Sequence, residues 1–180
     1  MTELITLSNL EAALREYAAK AQELYKMNLA LGGKNASHDL TESVHAYVES
    51  DGRAFEVRVS LLEYWKYVEG GSKGELSSPA GAVYPAHFPP PWALERWIEV
   101  KPVIPRPMAN GKIPTPKQLS WMIARSIQRR GIEPFPAMAT TIEELNRQYK
   151  DVFAFALSKD LDGYISKIVN LGSGSMSQRL

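Results

Sequence analysis

The sequence predicts an α+β fold: a long N-terminal helix, a small antiparallel sheet built on a β-hairpin, further helices packed on it, and an extended Pro-rich arm. Three observations carry this. Leu10, Leu14, Tyr17, Ala21, Leu24 and Leu31 recur at three- and four-residue spacing, which places them on one face of a helix. Residues 44–49 and 54–62 alternate apolar and polar on either side of Asp51-Gly52, the pattern of a hairpin with one buried face. Five prolines fall within residues 101–116, which excludes a helix there.

Ser8-Asn9-Leu10-Glu11 reads as a capping box, and the helix it opens covers about 9–31 before Gly32-Gly33 stops it. At roughly 34 Å it is long for a chain of this size. Residues 34–43 are a polar connection. In the second strand Phe55, Val57, Val59 and Leu61 share the buried face, with Glu56, Arg58 and Ser60 opposite. Tyr64, Tyr67 and Val68 give a short helix ended by Gly70-Gly71. Residues 72–91 are rich in turn formers.

Pro91 suits the first turn of a helix to about Val100, with Trp92, Leu94, Trp97 and Ile98 as its apolar face. The arm, 101–116, centres on an Asn110-Gly111 turn and reads as mobile. Thr115-Pro116-Lys117-Gln118 combines an N-cap, a first-position proline and a capping box. The helix it opens, 117–130, groups Leu119, Met122, Ile123 and Ile127 and ends at Gly131. A second Thr-x-x-Glu box, Thr141 to Glu144, opens the last helix. Its stripe of Leu145, Tyr149, Val152, Ala156, Leu157, Leu161, Tyr164 and Ile168 continues to about Asn170. Residues 172–180 read as a flexible tail, leaving 1–171 as a single domain.

The chain has 180 residues and 20.1 kDa, with 44% hydrophobic and 23% charged side chains, which suits one soluble globular domain. No apolar run approaches the ~20 residues of a membrane span, and the acidic start is unlike a secretory signal. No membrane partner is expected. The absence of cysteine excludes disulfides, thiolate metal sites and cysteine nucleophiles. His38, His45 and His87 are the only histidines. The first two flank Asp39 across a loop and a strand start, and they read as surface side chains rather than a metal site. No P-loop, His-Glu-x-x-His, Gly-x-Ser-x-Gly or Gly-x-Gly-x-x-Gly occurs. The expectation is a protein that is not an enzyme and uses no cofactor or metal.

A net charge of +1 conceals a division along the chain. Residues 91–131 carry +6, whereas residues 1–60 carry −3 and the segments 61–90 and 132–180 carry −1 each. Such a pattern suits subunits that meet through unlike patches, or contact with something anionic. Arg106, Lys112, Lys117, Arg125, Arg129 and Arg130 are therefore the candidate interface. A helix-turn-helix needs a turn of about 3–4 residues, and the proline-filled link before residue 117 is far longer. That leaves, as the alternative function, a small module that binds nucleic acid non-specifically through the basic 117–130 helix.

Several blocks together have a familiar order. They are Ala36-Ser37-x-x-Leu40-x-x-Ser43-Val44, the hairpin, Tyr64-Trp65-Lys66-Tyr67-Val68-Glu69-Gly70-Gly71, Phe88-Pro89-Pro90-Pro91 with Trp97-Ile98, and Gln118-Leu119-x-Trp121-x-Ile123-Ala124-Arg125-x-Ile127 with Gly131-Ile132. Over about 36–135 this resembles the head–tail connector, or tail-completion, proteins of the HK97-type neck of tailed bacteriophages, in the form found in phages of Bacteroides-like hosts. The segment before Phe88 is longer than the family's link, and the 101–116 arm is an elaboration.

The resemblance implies a non-enzymatic virion subunit, assembled in the host bacterial cytoplasm, that forms a ring below the portal and joins head to tail. Its partners would be further copies of itself, the portal or an adaptor, and tail proteins, with non-specific proximity to packaged DNA. It also implies that Tyr64, Tyr67, Val68, Glu69, Gly71, Trp97, Ala124, Arg125 and Gly131 define the fold and carry no catalysis.

Overall fold

The computed structural model describes residues 7–33, 38–51, 54–101, 103–109 and 111–176, with side chains described as far as residue 170. Several expectations fall outside this set: the acidic start, Ala36-Ser37, the tips of the two turns (Gly52 and Asn110), and the end of the tail, 177–180. The fold is α+β. In chain order it contains α1 (Ser8–Leu31), α2 (Asp39–Ser43), β1 (His45–Ser50), β2 (Phe55–Ser60), α3 (Trp65–Gly70), α4 (Pro91–Val100), α5 (Pro116–Arg130) and α6 (Ala137–Met176). The two strands pair as an antiparallel hairpin. No helix among the described residues is long and apolar enough to cross a membrane. Contacts group the chain into two compact units, each built from separate stretches of sequence.

The first unit holds residues up to Leu24, the hairpin from His45 to Val59, and the chain from Thr141 onward. Its core is Tyr17, Ala21, Leu145 and Tyr149, with Leu24, Val57 and Phe153 packed against them. The Tyr17 and Tyr149 rings meet edge to face, centroids 5.4 Å apart and planes at 88°, the arrangement aromatic quadrupoles favour. Both hydroxyls find acceptors: Tyr17 donates to Asn146 at 3.0 Å and Tyr149 to Glu16 at 2.8 Å. Val57 lies on the expected inner strand face, so the alternation in β2 is what places the hairpin on this core.

The start of α1 differs from expectation. Ser8 is itself helical, Glu11 pairs with Arg15 at 2.6 Å, and no reciprocal box forms. The free amides of Asn9 and Leu10 instead donate to the two carboxylate oxygens of Asp160, at 3.0 and 2.9 Å. A distant carboxylate thus does the work expected of Ser8.

The second unit holds Tyr25–Val44 and Ser60–Thr140. Tyr25, Leu29 and Val44 are fully buried in it and Leu40 nearly so, whereas Leu31, expected on the apolar stripe, is 78% exposed. The hydroxyl of Ser43 donates to the Leu40 carbonyl at 2.7 Å and accepts the Leu62 amide at 3.1 Å. Helix α4 starts at Pro91, as expected, and packs on α5. The positions that α5 buries most are the small Ser120 and Ala124. Leu119, Ile123 and Ile127 are half-buried and Met122 is 52% exposed, so the four large residues expected together form only part of its packed face. Small side chains there let the two helix axes approach closely.

The last helix begins four residues before the expected box, so Thr141 lies inside α6 and is fully buried. The true start follows Pro134-Phe135-Pro136, and its cap comes from α3. Glu69 accepts the Met138 amide at 2.8 Å, and the amides of Ala137 and Ala139 also face the carboxylate. At its other end α6 continues past Asn170 to Met176, through the first part of the expected tail.

Candidate functional site: a basic helix face

Helix α5 is fixed at both ends by local sequence and by a loop. At its start the expected capping box is present: the Thr115 amide donates to Gln118 Oε1 at 3.0 Å, and the Gln118 amide donates to Thr115 Oγ1 at 3.3 Å. At its end, Gly131 takes φ +78° and donates to the Ile127 carbonyl at 2.8 Å. The turn-rich 72–91 segment has a defined role here. Amides of Glu75 and Leu76 donate to the Gln128 and Arg129 carbonyls, each at 2.9 Å, satisfying groups a helix end leaves open. Ser72 and Ile132 exchange both backbone hydrogen bonds, each at 2.9 Å, and Ser72 also bridges Tyr84.

This junction explains two of the motif glycines. A Cβ on Gly131 would lie 2.1 Å from the Ser72 carbonyl oxygen, and one on Gly71 would lie 2.5 Å from that of Ile132. Both have positive φ, so neither position admits another residue without strain. Of the remaining motif residues, Tyr67, Val68 and Ala124 are held in ring, backbone or packing contacts, whereas Arg125 is exposed on α5. Tyr67 stacks on His87 at 4.8 Å and leans on Tyr84, and the Val68 carbonyl accepts the Phe135 amide at 2.8 Å. Tyr64 precedes the first residue of α3, Trp97 lies on α4 beneath the Lys101 ammonium, and Ala124 is fully buried on α5.

Glu69 has its carboxyl pushed above the usual range by burial, against the lowering effect of the α6 amides. Burial also raises the Tyr25 phenol, with the Glu69 charge adding to it, although that hydroxyl makes no well-formed hydrogen bond.

At 100° per residue, Lys117, Trp121, Arg125 and Arg129 follow one another at four-residue steps of about 40° net, so the row winds through about 120° of the exposed side of α5. Arg130 turns about 100° away from Arg129. Arg106 and Lys112 sit on the arm, where the Met108 amide meets the Lys112 carbonyl at 2.9 Å in a turn through Gly111. The six candidate residues are therefore not one cluster. Three of them, Lys117, Arg125 and Arg129, share the exposed side of α5. None of these three forms an ion pair among the described residues, whereas Arg15, Lys20, Arg58, Lys66 and Arg96 each have a carboxylate partner.

Beside that row Phe88, Trp121, Met122, Arg125 and Gln128 enclose an open groove of roughly 360 Å³. Phe88 and Trp121 form its floor, with ring centroids 5.4 Å apart at 45°. Phe88 comes from the 72–91 segment, so the groove was not visible in the helix pattern alone. Met122, expected on the packed face of α5, instead lines this groove. A second, more apolar groove of roughly 310 Å³ lies between Asn28, Leu31, Gly32, Phe135, Pro136 and Thr140, with no charged group in its lining.

Asp39 pairs with Arg96 at 3.4 Å, and no group of three or more metal-ligating residues gathers among the described residues. The chemistry this arrangement supports is the recognition of a carboxylate or phosphate next to an apolar surface. Comparison with protein-family models, with curated proteins and with solved structures finds no match to this chain.

Proposed function

We propose that this chain is a structural subunit of the neck of a tailed bacteriophage, forming a homo-oligomeric ring that joins the portal to the tail. The reading combines the resemblance over 36–135 with one observation in particular: a capped helix presents Lys117, Arg125 and Arg129 without a carboxylate partner among the described residues. Cations left unpaired beside exposed Trp121 and Met122 suit a contact surface, since aromatic residues, Met and Arg are the types enriched at protein interfaces. In the ring, the basic 91–131 segment of one subunit faces the acidic surface of the next, a heterologous contact that closes when the rotation allows. The arm, with Ile104 90% exposed and Ile113 67% exposed, supplies apolar contacts to an adjoining layer of the neck.

The test is to express the chain with its neighbouring virion genes and image the particles by negative stain. Annular densities containing the chain at the head–tail junction are the expected result. Virions that assemble intact necks without the chain would overturn the reading.

A further inference from the structure

The charge division says that subunits attract, but it does not say what fixes them in register. The groove on α5 supplies that. Its lining is largely apolar, with Trp121 54% and Met122 52% exposed. Arg125 sits in its lining, Lys117 lies one turn before Trp121 and Arg129 one turn after Arg125, all three without a carboxylate among the described residues. An apolar seat rimmed by unpaired cations is complementary to one kind of surface: an apolar side chain beside carboxylates.

We infer that this groove is the docking seat for a second copy of the chain, receiving an exposed apolar side chain flanked by acidic residues. The chain itself carries such surfaces. Outside 91–131 it has a net charge of −5, and it exposes Ile142 next to Glu143 and Val152 next to Asp151. In this contact Trp121 is the anchor, and Arg125 and Arg129 bind the carboxylates. Such residues in a partly enclosed seat concentrate binding energy.

A nucleic acid fits less well. Gln128 donates to Glu75 at 2.9 Å, so a carboxylate beside the groove breaks the continuous run of cations that a phosphate backbone would follow, while Arg125 and Arg129 remain for discrete carboxylates. Trp121 also leans on Phe88 rather than standing clear as a stacking platform.

This inference rests on the ring reading, and its test is separate from virion imaging. Sedimentation velocity of the full chain is measured up to about 1 mM at low salt and again near 0.5 M salt. Self-association that weakens with salt is expected. Trp121→Ala and the pair Arg125→Glu with Arg129→Glu should each weaken it by about tenfold or more. Both sites are exposed, and unchanged circular dichroism and melting confirm folded variants; Arg125→Lys with Arg129→Lys should retain most of the association.

Three results would overturn the inference. One is a wild-type chain that stays at 20.1 kDa throughout. Another is self-association untouched by Trp121→Ala, which leaves the ring reading standing with a different seat. The third is tight binding of an oligo-dT probe that Trp121→Ala abolishes while self-association is absent, which would assign the groove to nucleic acid.

Discussion

Glu69 caps a helix to which it does not belong: its carboxylate, at the end of α3, accepts the Met138 amide at 2.8 Å in the first turn of α6, 69 residues later. The cap is partly buried, and burial holds the carboxyl above its usual range even though three amides favour the anion. Replacing Glu69 with alanine leaves those donors open. The expected cost is about 1 kcal/mol, or roughly 2–4 °C in Tm, measured by thermal melting at mildly acidic pH, where the contribution of Glu69 is present.

The pH dependence at Glu69 has an unusual sign. A raised folded-state pKa means that the native protein holds the proton more tightly than the unfolded chain does. The associated stability is complete below the unfolded value and is lost as pH rises through the folded one. The advantage of the native protein over Glu69→Gln should therefore shrink as pH rises from the ordinary carboxylate range through the raised folded-state value. Melts of the two proteins across that range measure the gap, and a gap that widens with pH would contradict the assignment.

Asp160 behaves in the opposite way. Burial works to raise its pKa, but the amides of Leu10 and Asn9, with the Asn9 side chain, outweigh it and hold the carboxyl below the usual range. Its contribution is present above the unfolded value and lost as pH falls through the folded one. Asp160→Asn should lower Tm by roughly 2–4 °C at neutral pH. The difference should vanish in strong acid, and amide exchange at Asn9 and Leu10 should accelerate in the variant. Equal exchange rates would remove Asp160 from the role of cap.

The glycines separate steric need from conformational preference. Gly71 and Gly111 both have positive φ, but a Cβ on Gly71 meets the Ile132 carbonyl oxygen at 2.5 Å while one on Gly111 meets nothing within 4 Å. Gly71→Ala should cost about 2–4 kcal/mol and Gly111→Ala about 1 kcal/mol. Chemical denaturation of the two variants gives the comparison, and equal costs would mean that the 71–132 junction relaxes freely.

Reversing charge at the end of α5 tests the proposed assembly. Arg129→Glu with Arg130→Glu should prevent incorporation of the chain into necks while the monomer melts within a few degrees of the parent, because both side chains are exposed. Normal incorporation would remove the basic helix end from the contact.

What could be read from the sequence follows the range over which each signal acts. The hairpin, the short helix before Gly71, the Pro91 start of α4 and both ends of α5 rest on residues within four positions of one another, and the structure has all of them. The start of α6 was misplaced because Thr141 and Glu144 mimic a local cap, whereas the actual cap is Glu69, far away in sequence. Ser8 was credited with a cap for the same reason. Residues 72–91 looked like plain turns since their partners, the carbonyls at the end of α5, lie some fifty residues on. At the candidate site the cations on α5 were legible from composition. The groove was not, because half its floor is Phe88.

The Asp160 cap also sets an order of events during synthesis. Asn9 and Leu10 leave the ribosome well before Asp160, whose carboxylate, 150 or more positions behind, satisfies their amides. The same holds for Tyr17, whose ring partner is Tyr149. A nascent chain that stops short of these positions carries its first helix with an open end and an uncovered apolar face, a state prone to non-native association. The first unit therefore closes only after synthesis has passed Asp160, and until then the first helix keeps its open end.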